Sequence, residues 1–249
     1  MTQPDQDAVA SWTEPEGLSP RGTIVVIPGR GERPGVYERF GRRISGDAYR
    51  VHAVANPAED AALAEEQVLS LLDGPKPVVL AGSDTGALFA AGLVASGRLP
   101  GADALVLAGL PTAAAAPEAD AGADGSSWEA ELEARTACPT HRGRLAGAVL
   151  RRGALYEAVP DGWLDLANLK AVTVPVLGLH GAADTVSPLA AARERYAAAP
   201  HAELVSIAGG RHDAFNDITH RTAAATVILF LERLRLGADL PPIAVREEL

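Results

Sequence analysis

The sequence predicts an α/β fold: a mostly parallel, doubly wound sheet with helices on both faces and an inserted helical cap. Two observations lead there. Short β-branched apolar runs alternate with segments of helical period, the pattern of a sheet covered on both sides. The apolar run at 78–81 then ends in Gly82-Ser83-Asp84-Thr85-Gly86 and passes directly into small and apolar residues with helical spacing. That is a strand, a tight turn and a helix, a context that lifts one side chain clear at a strand end.

The elements follow in order. Residues 1–21 are rich in Pro, Glu and Asp and read as an irregular lead-in. Residues 23–27 form a buried strand that stops at Pro28-Gly29-Arg30-Gly31. A helix at 37–44, a strand at 50–55 and a helix at 59–72 come next. The strand at 78–81 leads through the glycine turn to a helix at 87–96, and 104–108 is another buried strand. Residues 111–170 break the rhythm, with a run of alanines, Pro117, Gly122 and Gly125 before helix-like pieces at 128–137 and 144–151. This stretch falls between two core strands and reads as a cap over the sheet's carboxyl edge, its alanine-rich part at 113–125 as a loop. Strands at 174–179 and 202–207 and a helix at 214–236 complete the alternation. The core is therefore 22–110 with 171–249, and 111–170 is the insertion.

Composition narrows the function classes. The 249 residues suffice for one large α/β domain, and the core is aliphatic, with 47% apolar residues but only 4% aromatic ones. A net charge of −10 argues against nucleic acid as a partner. The single cysteine, Cys138, excludes an internal disulfide framework and fits a reducing compartment. A polar, acidic N-terminus and the lack of a long apolar run point to a cytoplasmic chain with no membrane association. The expected partner is a small-molecule substrate, and the chain is compatible with a monomer or a homodimer.

The glycine turn carries the chemistry. Glycines at 82 and 86 flank a central residue whose backbone is strained, and that residue is Asp84, not a serine. Ser83 lies one place early and points away. Three more signals fall on strand ends. The run at 176–180 leads to His180-Gly-Ala-Ala-Asp184; Ile207-Ala-Gly-Gly-Arg-His212 precedes the last helix; and Pro28-Gly29-Arg30-Gly31 follows the first core strand.

These four ordered motifs resemble the α/β-hydrolase superfamily, and the resemblance covers residues 23–236. It implies Asp84 at the nucleophile position, Asp184 as the acid and His212 as the base, in that family's chain order. It also implies an oxyanion hole made by the backbone N–H groups of Arg30 and Thr85, and no cofactor. An aspartate at the elbow resembles the haloalkane dehalogenase and epoxide hydrolase branches. There the carboxylate attacks carbon to form an ester, and the histidine activates the water that hydrolyses it. Three positions depart from those branches. Thr85 stands where such dehalogenases place a tryptophan, the cap offers one tyrosine, Tyr156, where epoxide hydrolases use two, and Pro28 replaces the usual histidine.

Around this centre, His141 and Arg142 are candidate binders of an oxygen-rich or anionic substrate, with a solvated basic face as the alternative. Tyr156 and Trp163 either line an apolar pocket or anchor the cap. Cys138 and His141 alone are too few for a zinc site, so no metal is expected. His180 reads as structural, and Asp213 and Asp217 as acids at a helix start. Three functions stay open: a hydrolase, a lyase or cyclase using Asp84 and His212 as acid and base, and a ligand-binding or scaffold member of the fold.

Overall fold

A computed structural model describes residues 8–114, 128–147, 150–245 and 247. Among them, β1 (Ala10–Trp12), β2 (Gly22–Ile27), β3 (Tyr49–Ala53), β4 (Val78–Ser83), β5 (Ala104–Ala108), β6 (Val176–Gly181) and β7 (Ala202–Ile207) form one sheet. The strand order is β1-β3-β2-β4-β5-β6-β7, with β1 antiparallel to β3 and every other pairing parallel. Every residue of β2, β4, β5 and β6 is buried, as strands covered on both faces must be. One face of the sheet carries α1 (Glu38–Ser45) and α8 (His220–Leu236), whose Phe40, Val227 and Phe230 pack on Ile24, Val26, Val79 and Val106. The other face carries α2 (Ala61–Leu71), α3 (Thr85–Ala95) and α7 (Leu189–Tyr196) over Val25, Ile27, Leu80 and Leu105. This is the doubly wound sheet expected from the alternation.

Chain direction reverses across the sheet between β2 and β4. From β2 the chain runs outward to β3, then returns to place β4 on the opposite side. The carboxyl ends of these two strands therefore flank a switch point, where an α/β sheet opens a crevice. The turns at Arg30 and at Asp84 both lie there.

Three expectations are corrected. The lead-in is not wholly irregular, because Ala10–Trp12 adds an edge strand. Trp12 also packs over Gly41 so closely that an added Cβ there would lie 2.1 Å from the indole. The last helix begins at His220 rather than at 214, since the stretch before it is tied to the insertion by His212, Asp213 and Asp217. Within the insertion, α4 (Trp128–Arg135) is followed by α5 (Pro139–Leu145) and α6 (Trp163–Leu166), so the helix expected at 144–151 starts and ends earlier. Pro139 suits the first turn of α5, where no backbone N–H is needed. Most of the alanine-rich loop at 113–125 lies outside the described residues. No helix among the described residues is long and apolar enough to cross a membrane.

Candidate active site

Asp84 joins β4 to α3 with φ +49° and ψ −124°, a region costly for a side-chain-bearing residue and held only when its surroundings enforce it. The flanking glycines show the enforcement. A Cβ on Gly82 would lie 2.4 Å from the Gly86 carbonyl oxygen, and one on Gly86 would lie 2.2 Å from that of Ile27. The Asp84 N–H donates to Ala108 O at 2.9 Å, tying the turn to β5. The carboxylate is presented at the sheet edge but is only 1% exposed.

Its two oxygens have different surroundings. Oδ2 accepts from the backbone N–H of Arg30 at 2.9 Å and from Arg30 Nε at 2.8 Å. Oδ1 accepts from Arg30 Nη2 at 2.8 Å and lies 3.3 Å from His212 Nε2. The guanidinium is itself buried and reaches the insertion, where Nη1 donates to the Glu157 carbonyl at 2.7 Å. His212 Nδ1 meets Asp184 Oδ2 at 2.9 Å. Asp184 is oriented in turn by the N–H groups of Val186 and Ser187, which donate to Oδ1 at 2.8 and 2.9 Å. His180 Nε2 lies 2.6 Å from Ser187 O and 3.3 Å from Asp184 Oδ2, supporting the acid from behind. The structure thus brings Asp84, His212 and Asp184 together, with the Arg30 N–H on Asp84 Oδ2. Thr85 opens α3 fully buried, its hydroxyl without a partner among the described residues.

Charge governs the resting state. Burial pushes the Asp84 carboxyl up, but the Arg30 guanidinium and His212 more than offset this and hold it well below the usual carboxylate range. Burial likewise raises Asp184, and His212 and His180 outweigh it, so this acid is also held low. Burial opposes a charge on His212, yet Asp184 first and Asp84 second push it up to about 10. At neutral pH the site holds an imidazolium between two carboxylates, with a second cation on Asp84.

The Arg30 side chain was not anticipated, nor was the buried polar cluster behind it. Arg135 of α4 is fully buried and donates through Nη2 to Arg30 O at 2.8 Å and Glu131 Oε1 at 3.1 Å. Its Nη1 lies 3.5 Å from both Glu32 Oε1 and Asp213 Oδ1. Tyr37 donates its hydroxyl to Glu32 Oε2, and the Gly29 N–H reaches the same oxygen at 2.9 Å. The insertion also holds the histidine loop through its backbone, since the Asp213 N–H donates to Arg135 O at 2.9 Å. Asp217 is no helix-start acid: it accepts from Thr136 Oγ1, Ala137 N–H and Arg211 N–H at 2.7–2.8 Å, and pins α4's end to the same loop.

The four candidate binders in the insertion part company. His141 is buried with Nε2 3.1 Å from Asp213 Oδ2 and belongs to this cluster. Arg142 pairs with Glu129 and Glu133 on an outer face, so the solvated reading describes its placement. Trp163 lies over Phe89 of α3 with ring centroids 5.2 Å apart, anchoring the insertion on the core. Tyr156 adjoins Glu157, and its buried hydroxyl has no partner among the described residues.

A scan against protein-family models finds no match, and a search of curated proteins finds none. Solved structures do resemble the chain. A monoacylglycerol lipase from Paleococcus ferrophilus matches at 16% identity and TM-score 0.71, over 90% of this chain and 97% of that one. A soluble variant of the monoglyceride lipase from Saccharomyces cerevisiae, in complex with a substrate analogue, gives 16% identity and 0.70, over 90% of each chain. The esterase RhEst1 from Rhodococcus gives 20% and 0.65, over 91% and 95%. With the sheet order above, these likenesses establish the α/β-hydrolase fold.

Proposed function

We propose that the chain is a cofactor-independent hydrolase in which Asp84 attacks an electrophilic carbon of a small or medium organic substrate. His212 and Asp184 then direct water onto the resulting ester. One observation supports this above others: Asp84 Oδ2 rests on the Arg30 N–H while Oδ1 turns to His212. An alkyl ester on Oδ1 would leave its carbonyl oxygen on that donor, where the tetrahedral oxyanion of hydrolysis forms. The lipases and esterases of similar fold are consistent with hydrolysis at this coarse level. Acyl transfer to Asp84 would give a mixed anhydride, so displacement at an alkyl halide or opening of an epoxide fits the carboxylate better.

The charges supply the order of events. In the first step Oδ1 forms a bond to carbon, and the carbon–halogen or carbon–oxygen bond breaks with its electron pair on the leaving atom. Esterification removes the Asp84 charge, one of the two that hold the proton on His212, while Arg30 remains a nearby cation. The imidazolium then sheds its proton, to solvent for a halide or through water to the alkoxide of an opened epoxide. Neutral Nε2 can now take a proton from the water that attacks the Asp84 carbonyl carbon. Collapse frees the alcohol and restores the Asp84 carboxylate.

His212→Ala is expected to stop after the first step. Incubated with a panel of epoxides and alkyl halides, this variant should gain the substrate's mass at Asp84, and the His212→Ala, Asp84→Asn double variant should not. Undiminished turnover by folded Asp84→Asn would end the proposal. The Arg30 fork on both carboxylate oxygens favours a second reading: acid–base chemistry on an unattached substrate, as in a lyase or cyclase. A product formed with no oxygen from water would select it.

A further inference from the structure

We infer that the substrate of this site carries an anionic group, such as a carboxylate, that takes over the Arg30 guanidinium as Asp84 becomes an ester. Arg30 is then a specificity-determining residue. This deepens the proposed function and rests on Asp84 being the nucleophile.

The inference follows from where charge goes when Asp84 loses its own. Arg30 is 2% exposed, and both its Nε and Nη2 point at the reacting carboxylate. Asp84 is the only carboxylate among the described residues that it contacts directly. The remaining Arg30 side-chain bond goes to a neutral acceptor, the Glu157 carbonyl. The Glu157 carboxylate lies within electrostatic reach but is half-exposed and paired with Arg151. Behind Arg30, the Arg135 guanidinium is shared among Glu32, Glu131 and Asp213. Those three acids are engaged by Arg135, by Tyr37, by His141 and by backbone N–H groups of Gly29, Gly153 and Leu155.

Esterification therefore strands a buried guanidinium. A buried charge without its partner is strongly unfavourable, and a planar fork is matched geometrically by another carboxylate. A substrate with a carboxylate beside its electrophilic carbon brings the replacement with it, whereas a neutral substrate leaves the guanidinium facing only neutral acceptors, the ester carbonyl and the Glu157 carbonyl. Before the attack, the same guanidinium lies between two anions and offsets their repulsion. Bond making at carbon then moves the counter-ion from enzyme to substrate with no second cation required.

Asp84→Asn tests this without turnover, because the amide keeps the carboxylate's shape but, like the ester, has no charge. Calorimetric titration with sodium propionate, at fixed ionic strength against sodium chloride, should show binding to Asp84→Asn roughly tenfold or more tighter than to the unaltered protein. Adding Arg30→Gln should abolish the gain. Equal affinity in all three proteins would overturn the inference. As a second readout, His212→Ala should be labelled at Asp84 roughly tenfold or more faster by 2-bromopropionate than by 2-bromopropionamide. Equal or faster labelling by the amide would also overturn it. If neither reagent labels Asp84, the nucleophile reading fails for this class, and the propionate titration alone decides whether Arg30 receives an anion. If Asp84→Asn does not fold, the two labelling rates decide.

Discussion

Arg30→Met is expected to lower the free energy of unfolding by about 3–5 kcal/mol, because it leaves the Asp84 carboxylate buried without its fork. Three bonds are lost at once, those from Nε and Nη2 to Asp84 and that from Nη1 to the Glu157 carbonyl. Asp84→Asn removes the partner instead and should cost a comparable amount. The double variant should be less destabilised than the sum of the two, with a coupling of about 2–3 kcal/mol, since neither side then keeps an unpaired charge. Urea unfolding of the four proteins gives the cycle. Strict additivity would show that the buried fork contributes no more than a surface pair, for which about 0–1 kcal/mol is usual.

The second large effect is electrostatic. His212, flanked by Asp84 and Asp184, should remain an imidazolium through neutral pH and lose its proton near pH 10. Its folded-state pKa lies above the unfolded value, so its contribution to stability is fully present below about pH 6.5. It is lost as pH rises through about 10. The two carboxylates have depressed values and work at the other end: their contribution is present above about pH 4 and fades as pH falls below it. An NMR titration of the imidazole should therefore be flat from pH 6 to 8, and Asp84→Asn should lower its pKa by about 1–3 units. A midpoint near pH 6.5 in the unaltered protein would contradict this account and its ordering of the proton steps.

What was legible in the sequence was whatever has a local cause. The elbow could be read because only glycine fits at 82 and 86, and the triad order because each member follows a strand. The sheet could be read because its parallel strands are continuously apolar. Ala10–Trp12 could not, since a three-residue edge strand has no period to recognise. The start of α8 was misplaced because His212, Asp213 and Asp217, just before it, are held by bonds to residues 134–137, far back in the chain. The side chain of Arg30 was missed for the same reason, as its carboxylate lies 54 positions away and no spacing rule joins them. Arg135 was hidden differently. The segment Glu129-Ala-Glu131-Leu-Glu133-Ala-Arg135 carries a charge at every second position, yet Glu131 and Arg135 turn inward and are buried. Charged residues are expected inside only when paired, and beyond their own i,i+4 pairing the partners of Arg135, namely Glu32, Asp213 and the Arg30 carbonyl, come together only once the insertion is folded onto the core.

The central claim is that Asp84 itself takes part in the covalent chemistry. A single turnover in ¹⁸O-labelled water, with enzyme in excess over an epoxide or halide substrate, tests it most directly. Water that attacks the ester carbonyl leaves its oxygen on Asp84. The peptide containing Asp84 should therefore gain about 2 Da, and the alcohol released in that turnover should carry no label. Label found in the alcohol, with the Asp84 peptide unchanged, would show that water attacks the substrate directly and that Asp84 is not the nucleophile.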